Sequence, residues 1–189
     1  MSNILSFKPL TLSPPRFVKL WEFGYPHHLA KYGLKGSRGR VTNVRFDPLG
    51  AKFGLSDTNG VIGFWHTTVS ATTPYTVLNC HDRGTRDFSF IGCASVIGSV
   101  GSSSSGRNVV FWDTLLPPSE CAVKKFQAHD MGAMVCCYSA KRQIFISGGN
   151  KGDICIFDVR QRKLQHMFTG ELGFEKLQNH ENGVIISDH

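Results

Sequence analysis

The sequence predicts an all-β fold of about three complete four-stranded antiparallel sheets, with partial sheets on either side. Short apolar runs are separated by Gly, Asn and Pro turns, and strong helical periodicity is absent. An aromatic-ended strand also recurs, at intervals of 44, 47 and 45 residues between Trp21, Trp65, Trp112 and Phe157. This period, with Trp-Asp or Phe-Asp endings, is typical of WD-repeat blades, so we predict a partial WD-repeat β-propeller.

The repeat pattern divides the chain into three parts. Residues 16–168 carry the pattern and are expected to form the propeller arc. Residues 1–15 contain three prolines, which cannot donate to a sheet ladder, so we expect a poorly ordered segment there. The pattern fails after Phe168, and we expect residues 169–189 to be a divergent tail with low order or one unpaired strand.

The number of predicted blades is too small for a closed ring. Closed propellers have ~4–8 blades, whereas this chain supplies three with parts of two others. Open ends expose apolar faces and sheet edges, which favour self-association. We therefore expect a fragment, a short isoform or half of a composite propeller.

The first predicted strand is residues 16–23, a partial copy of the repeat. The first complete unit spans about residues 25–66, where Val44 and Phe46 alternate with polar residues at the period of a strand. An Asn-Gly dipeptide in this unit indicates a tight hairpin. Its strands are expected at residues 40–46, 52–56 and 61–65.

The second unit spans about residues 76–114 and the third about residues 123–168. In the second unit a serine-rich loop at 101–106 replaces the tight hairpin. We interpret it as a flexible insertion, because it lacks the Gly-Lys-Ser/Thr ending of a phosphate loop. Strands are expected at residues 85–90, 93–100, 108–113, 134–139, 144–147, 154–159 and 163–168.

Composition excludes several classes of protein. With 41% hydrophobic and 19% charged residues the chain resembles an ordinary globular domain. No run of 18 apolar residues and no secretory signal are found, so we expect a cytoplasmic protein without an integral membrane segment. The six cysteines include no Cys-x-x-Cys pair, which indicates reduced, buried thiols rather than zinc ligands or disulfides. We expect no metal and no cofactor.

The net charge of +7 favours anionic partners such as acidic protein faces, lipid headgroups or nucleic acid. Solvated loop charge that keeps strand edges soluble is the alternative interpretation. The aromatic residues do not interleave with the basic ones, as a base-stacking surface would require. The basic clusters are Lys31, Lys35, Arg38 and Arg40; Lys124 and Lys125; and Arg160, Arg162 and Lys163.

Two His-Asp pairs begin with His81 and His129. Such pairs occur in metal-dependent phosphohydrolases, but that chemistry needs further ligands on neighbouring elements. Both pairs precede the first inner strand of a repeat, where WD repeats place a structural histidine. We therefore interpret them as structural. No grouping of nucleophile, base and orienting residue is visible, so we predict no catalytic residues.

WD repeats join that histidine, a Ser or Thr, a turn Asp and the strand Trp in a network that satisfies buried polar groups. The sequence matches it only in part. The first unit lacks a histidine in its opening stretch, the second has serines in place of the turn Asp, and the third has Asn150 there. The residues predicted to be structural are Trp65, His81, Trp112, His129, Ser147 and Phe157.

The amino-acid sequence of the repeats resembles that of a known family. Residues 146–162 (ISGGNKGDICIFDVRQR) and 107–115 (RNVVFWDTL) are similar to the C-terminal WD repeats of the DmX-like (rabconnectin) family, as are shorter matches at 40–42, 52–54 and 87–91. The resemblance covers residues 16–168. Family members are very large proteins, and the copy of Phe-Gln-Ala-His-Asp expected after Phe168 is replaced by Thr-Gly-Glu-Leu.

The resemblance implies a role in assembling and regulating the vacuolar-type proton pump (V-ATPase), and thus in vesicle acidification. It also implies scaffolding of regulators of a vesicle-associated small GTPase, and a peripheral location on intracellular or synaptic vesicles. V-ATPase subunits and small-GTPase regulators are the partners that follow from it.

Our leading hypothesis is a non-enzymatic scaffold that presents the loops at the blade ends to a protein partner. From their places in the repeat, the candidate contacts are Arg40, Arg86 and Met131. The alternatives are a basic lipid- or nucleic-acid-binding module, a hydrolase using His81 or His129, and a truncated, non-functional isoform.

Overall fold

The computed structural model describes residues 16–21, 26–68, 71–92, 95–169, 176–180 and 183–187. These residues form β-strands and turns without a helix, which confirms the all-β prediction. The predicted poorly ordered segment, residues 1–15, lies outside the described residues.

Three four-stranded antiparallel sheets form the blades, numbered I to III along the chain. Blade I contains β3 (Val41–Phe46), β4 (Lys52–Asp57), β5 (Val61–His66) and β6 (Thr76–Asn79). Blade II contains β7 (Thr85–Ile91), β8 (Val96–Gly101), β9 (Val109–Asp113) and β10 (Ala122–Phe126). Blade III contains β11 (Ala133–Ser139), β12 (Ile144–Gly149), β13 (Ile154–Asp158) and β14 (Lys163–Phe168).

Two further sheets have two strands each and flank the blades in sequence. The N-terminal half-blade pairs β1 (Val18–Trp21) with β2 (His28–Tyr32). The C-terminal half-blade pairs β15 (Lys176–His180) with β16 (Gly183–Ser187). The expectation of one unpaired strand after residue 168 was therefore wrong, because β15 and β16 pair with each other within the tail. The expectation of low order there stays a prediction.

The first strand of each blade is its inner strand. Strand β3 contacts β7, β7 contacts β11, and β11 contacts β15, so the inner strands follow one another around a common axis. Each inner strand of a blade carries a bulge after its first residue, which is Val41, Thr85 or Ala133. A bulge increases local twist and re-aims the next side chain.

The strand expected at residues 163–168 is the fourth strand of blade III, whereas the fourth strands of blades I and II differ from expectation. We expected the second and third units to begin near residues 76 and 123. Strands β6 and β10 instead pair with β5 and β9 as outer strands of blades I and II. Strand β2 was not predicted at all, since its short run begins directly after Pro26 and His27.

The core consists of apolar layers between successive sheets rather than one central cluster. One layer joins the N-terminal half-blade to blade I through residues such as Leu20 and Trp65. The next joins blades I and II, and includes Phe64 and Phe88. A third joins blades II and III around Phe145. Alternating residues along each strand face alternate layers, as the pleat requires.

Candidate interaction face

One end of the arc carries the loops that precede the inner strands and the hairpins between second and third strands. In blade I the Thr58 N–H donates to the Arg40 carbonyl at 2.9 Å. In blades II and III the corresponding bonds run from Ser102 to Gly84 at 3.1 Å and from Asn150 to Gly132 at 3.3 Å. We call this end the loop face. Its described segments are residues 33–40, 58–60, 80–84, 102–108, 127–132 and 150–153.

In blade II, His81 supports the loop face through a buried network. Ser99 Oγ lies 2.9 Å from His81 Nε2 and accepts the indole N–H of Trp112 at 2.8 Å. Ser99 Oγ therefore bridges the His81 ring and the Trp112 indole, and the other ring nitrogen, Nδ1, lies 3.3 Å from Ser103 Oγ. Burial lowers the pKa of His81 to about 4, so the ring is neutral at pH 7.

In blade III, His129 has an acidic partner. Its Nε2 lies 2.7 Å from Ser147 Oγ, and its Nδ1 contacts the Asp153 carboxylate. We expected the turn acid of this blade at Asn150, where the sequence lacks one. The acid is instead Asp153, which directly precedes β13. The backbone N–H of Gly149 donates to the Asp153 carbonyl and closes the hairpin, and this places the Asp153 carboxylate beside His129.

Blade I uses a serine where the other blades use a histidine. Ser37 lies four residues before β3, as His81 and His129 lie four residues before β7 and β11. The Ser37 hydroxyl donates to the Asp57 carboxylate. Asp57 also accepts the N–H groups of Asn59 and Val61, each at 3.0 Å, and thereby fixes the hairpin.

Trp65 and Phe157 stand outside a serine-centred network. In blade II, Ser99 pairs with the residue two positions before Trp112. In blade I, Leu55 pairs with the residue two positions before Trp65, so a leucine stands where blade II has its serine. The Trp65 indole therefore donates to the Thr72 carbonyl at 3.0 Å. Phe157 has no donor and is fully buried between blades II and III.

Sequence reasoning missed a carboxylate that joins three inner strands. Asp87, on β7, is 3% exposed. It accepts Nη2 of Arg45 at 2.8 Å and the side-chain amide of Asn43, both on β3. It also accepts the backbone N–H of Cys136, on β11, at 3.0 Å. Its partners lie more than forty residues away in sequence. Asn43 and Asp87 occupy the same position of the repeat, directly after the bulge, so an alignment of the repeats would have pointed to both residues.

The three predicted contact residues lie at the starts of neighbouring inner strands. Arg40 immediately precedes β3, Arg86 is the second residue of β7, and Met131 lies in the loop before β11. All three are exposed, Met131 by 61%. Because β3, β7 and β11 contact one another in order, the three side chains belong to one end of the arc. Their role in binding stays a prediction.

The loop face is positively charged. Among its described segments the exposed acids are Asp82 and Asp130, whereas the other carboxyls there are buried in the networks above. Asp130 lies 3.6 Å from Lys151, and Asp82 accepts the Ser104 N–H at 2.8 Å. The exposed cations are Lys35, Arg38, Arg40, Arg83, Arg107 and Lys151.

A second basic cluster lies on turns at the other end of blade III. The Val159 N–H donates to the Gln143 carbonyl at 3.2 Å, which brings together the turns that follow β11 and β13. These turns carry the exposed cations Lys141, Arg142, Arg160 and Arg162. They include Arg160 and Arg162 of the third basic cluster noted in the sequence, whose Lys163 begins β14.

The described cysteines are buried thiols. Cys80, Cys121, Cys136, Cys137 and Cys155 are all free and buried, and Cys93 lies outside the described residues. Burial raises the pKa of Cys137 and of Cys155 to about 11. In the described part of the chain no cluster of His, Cys, Asp or Glu has the form of a metal site. A helix able to cross the bilayer is likewise absent from these residues.

The solved structures similar to this chain are propellers. The WD40 β-propeller domain of Doa1 matches with a TM-score of 0.72 at 13% identity, over 92% of this chain and 54% of that one. A chain of the mitotic checkpoint complex matches with a TM-score of 0.71 at 18% identity, over 86% of this chain and 47% of that one. The fold is therefore that of a WD40 propeller arc.

Sequence comparison finds relatives with much longer chains. No family model matches. Over 158 residues the chain is 38% identical to DmX-like protein 1 of Mus musculus and 37% identical to DmX-like protein 1 of Homo sapiens. Each match covers 80% of this chain and 5% of the relative. By this match, and by the WD40 blades that carry it, the chain belongs to the DmX-like family.

Proposed function

We propose that the chain is a non-enzymatic interaction module that binds an acidic protein surface through its loop face. As part of a DmX-like protein, it would contribute to V-ATPase assembly and to vesicle acidification. It would act in the cytoplasm, on the surface of vesicles. The V-ATPase role rests on the family resemblance, whereas the acidic character of the partner rests on the charge of the loop face.

The observation that carries the proposal is the combination of exposed cations and buried supports on one face. Six exposed Lys or Arg side chains stand against two exposed Asp side chains, both already engaged. The loops beneath them are held by His81, His129 and Asp57, so the cations are presented from a rigid frame. Complementary charge of this kind speeds encounter and selects an acidic partner.

The environment of the two histidines supports a binding role over hydrolysis. Both ring nitrogens of His81 and both of His129 are occupied by neighbouring side chains. A metal ligand or general base needs a free nitrogen directed at an open site. Replacing either histidine with Gln is therefore expected to change stability rather than remove an activity.

The proposal is tested by capture of the purified peripheral sector of V-ATPase on the immobilised chain. The variant combines Arg40→Ala, Arg83→Ala and Lys151→Ala, three exposed cations of the loop face. The matched control combines Lys141→Ala, Arg142→Ala and Arg160→Ala, which removes charge from the other end of the arc. We expect at least about tenfold weaker binding for the first variant, a loss of about 1.4 kcal/mol, and little change for the control. Equal affinities for all three proteins would reject the loop face as the binding surface.

The basic turns of blade III support a second candidate function, binding to an anionic lipid or nucleic-acid surface. Four exposed cations on two adjacent turns form a compact patch, though without aromatic residues interleaved. Binding to vesicles containing phosphatidylserine, or to single-stranded RNA, would then fall steeply with added salt. It would also be lost in the control variant above and retained in the loop-face variant.

A further inference from the structure

We propose that the end of the arc opposite the loop face is a membrane-binding surface. In this proposal the basic turns of blade III contact anionic lipid headgroups, while two leucines of blades I and II enter the apolar part of the bilayer. The inference builds on the second candidate function above and assigns its partner, an anionic lipid bilayer rather than a nucleic acid. It does not depend on the loop face.

The turns at this end lie at the same level in each blade. Inner strands begin at the loop face and strands of a blade are antiparallel, so the turns after the first and third strands share the opposite end. We call this end the turn face. Its described segments are residues 47–51, 67–68, 71–75, 92, 95, 114–121, 140–143 and 159–162. In each blade the N–H that follows the third strand donates to the carbonyl that precedes the second strand: Thr67 to Ala51 at 3.0 Å, Thr114 to Ser95 at 2.8 Å, and Val159 to Gln143 at 3.2 Å.

Two leucines stand at the tips of turns on this face. A backbone bond of 3.0 Å closes the turn at residues 47–50, and one of 3.3 Å closes the turn at residues 113–116. The third residues of these turns are Leu49 and Leu115, which are 70% and 82% exposed. Single exposed leucines are common on protein surfaces. These two, however, lie at the outermost points of neighbouring blades, where turn residues are ordinarily polar.

The exposed charge of the turn face is positive. Within its described segments the exposed acid is Glu120, and Asp47 is buried, where it accepts a backbone N–H at 2.8 Å. Asp113 and Asp158, at the ends of the third strands, accept backbone N–H groups of their own turns at 3.1 and 2.8 Å. The face therefore attracts an anionic surface. Its exposed cations are Lys141, Arg142, Arg160 and Arg162.

The apolar tip of blade II and the cations of blade III occupy equivalent positions. Leu115 directly follows Thr114 and Arg160 directly follows Val159, the residues that make the same backbone bond in the two blades. Blades II and III are neighbours that share an apolar layer. A bilayer presents the complementary pattern, with anionic headgroups above apolar chains. Stable attachment of a peripheral protein takes two signals, and this face supplies cations together with apolar side chains.

The arrangement fits a bilayer better than a nucleic acid. Single strands bind where aromatic rings alternate with cations, because the bases stack on the rings. Among the described turn-face segments the exposed aromatic residue is Tyr75, which stacks on His66 with ring centroids 4.5 Å apart. Both belong to blade I, two blades away from the basic turns. Leucines offer no stacking surface, but they gain free energy by leaving water for the acyl region.

A membrane at the turn face leaves the loop face accessible. The two faces lie at opposite ends of the blade strands, which separates them by about 20 Å. A chain held by its turn face therefore presents the loop face away from the bilayer, toward a protein partner. Membrane attachment and protein binding then use different ends of the same strands and do not compete.

The backbone of the basic turns offers a variant that removes charge without adding strain. In the described part of the chain, Gln143 and Arg162 are the non-glycine residues with positive φ, 55° and 53°. Glycine adopts this conformation more readily than arginine does. Arg162→Gly therefore removes a cation while relaxing the turn, so a loss of membrane binding in this variant does not come from unfolding.

The test is flotation of the full chain with vesicles of phosphatidylcholine containing about 30 mol% phosphatidylserine. Leu49→Ser combined with Leu115→Ser should bind at least about tenfold more weakly than wild type, and Arg162→Gly about fivefold more weakly. Met167→Thr is the control and should bind as wild type does, because Met167 is 49% exposed at the end of β14 remote from the turn face. A wild-type chain that does not float, or a double leucine variant that floats equally well, would overturn the proposal. Tighter binding to single-stranded RNA than to these vesicles would overturn it as well.

A second measurement separates entry of the leucines from charge attraction alone. Leu115→Trp places an indole at the tip of the turn, and we expect vesicles brominated in their acyl chains to quench its added fluorescence relative to wild type. Vesicle binding without this quenching would contradict entry into the bilayer and leave the second candidate function standing. Capture of V-ATPase is measured without lipid and flotation without V-ATPase, so the loop-face proposal and this one fail separately.

Discussion

Arg45 on the inner strand of blade I donates to Asp87 on the inner strand of blade II, with Nη2 and Oδ2 2.8 Å apart. Because Asp87 also accepts the backbone N–H of Cys136 in blade III, one carboxylate connects three successive blades. Apolar layers hold neighbouring blades together without direction, whereas this contact fixes how far each inner strand lies along the common axis.

Asp87→Asn is expected to lower the free energy of unfolding by about 3 kcal/mol, since removal of one partner leaves buried donors and Arg45 uncompensated. Urea denaturation followed by tryptophan fluorescence measures the change. Asp130→Asn, at an exposed carboxylate of the loop face, is the control and should shift stability by less than about 0.5 kcal/mol. Equal effects of the two substitutions would mean that Asp87 is not a structural junction.

His81 makes stability depend on pH in a definite direction. Burial lowers its pKa in the folded chain to about 4, below the ordinary 6.5 of an unfolded histidine. The unfolded chain therefore takes up the proton first, so the contribution of His81 is complete above pH 6.5 and is lost as the pH falls towards 4. A shift of this size corresponds to about 3 kcal/mol.

The pH effect is measured by urea denaturation between pH 7 and pH 4.5, with His81→Gln for comparison. Glutamine keeps hydrogen-bonding groups near Ser99 and Ser103 but does not titrate in this range. The wild type should lose more stability than the variant as the pH falls. Parallel stability curves for the two proteins would show that His81 is exposed to solvent.

Ser99→Ala is expected to destabilise the chain by about 1 kcal/mol more than Ser147→Ala. The Ser99 hydroxyl contacts two buried partners, His81 and Trp112, whereas within the described part of the chain Ser147 contacts His129. Each buried group left without its partner costs about 1–3 kcal/mol. Equal losses of unfolding free energy in the two variants would indicate that the Trp112 indole finds another acceptor.

Thr85→Val is expected to leave stability unchanged or to raise it by up to about 1 kcal/mol. Thr85 is fully buried at the start of β7, and among the described residues its hydroxyl is the buried side-chain group without a hydrogen-bond partner. Valine has nearly the same shape and removes the unsatisfied hydroxyl. A clear loss of thermal stability, with Thr85→Ser as the comparison, would mean that the hydroxyl is engaged in solution.

The blades were predictable because a period near 45 residues and aromatic strands are local properties that survive without any knowledge of contacts. The role of Asp87 could not be predicted in this way, because Asp87 is buried by β3 and β11, which belong to other blades. The same holds for Asp153, which reaches His129 only through the shape of one hairpin. The boundaries of repeats and blades differ for a related reason: a repeat in sequence begins with the outer strand that completes the preceding sheet.

The tail is where prediction from the sequence repeats fails most clearly. After Phe168 the expected Phe-Gln-Ala-His-Asp copy is absent, and this predicted disorder or a lone strand. The pairing of β15 with β16, and the contact of β15 with β11, need only backbone groups and an available inner position. A half-blade can therefore form where the signature residues have disappeared.

The most direct test of the account is hydrogen exchange, followed by mass spectrometry, of the full chain with and without the peripheral sector of V-ATPase. We expect slower exchange in the loop-face segments 33–40, 80–84 and 127–132, and little change in the turns at 140–143 and 159–162. Protection of those turns with the loop face unaffected, or no protection at saturating partner, would contradict it.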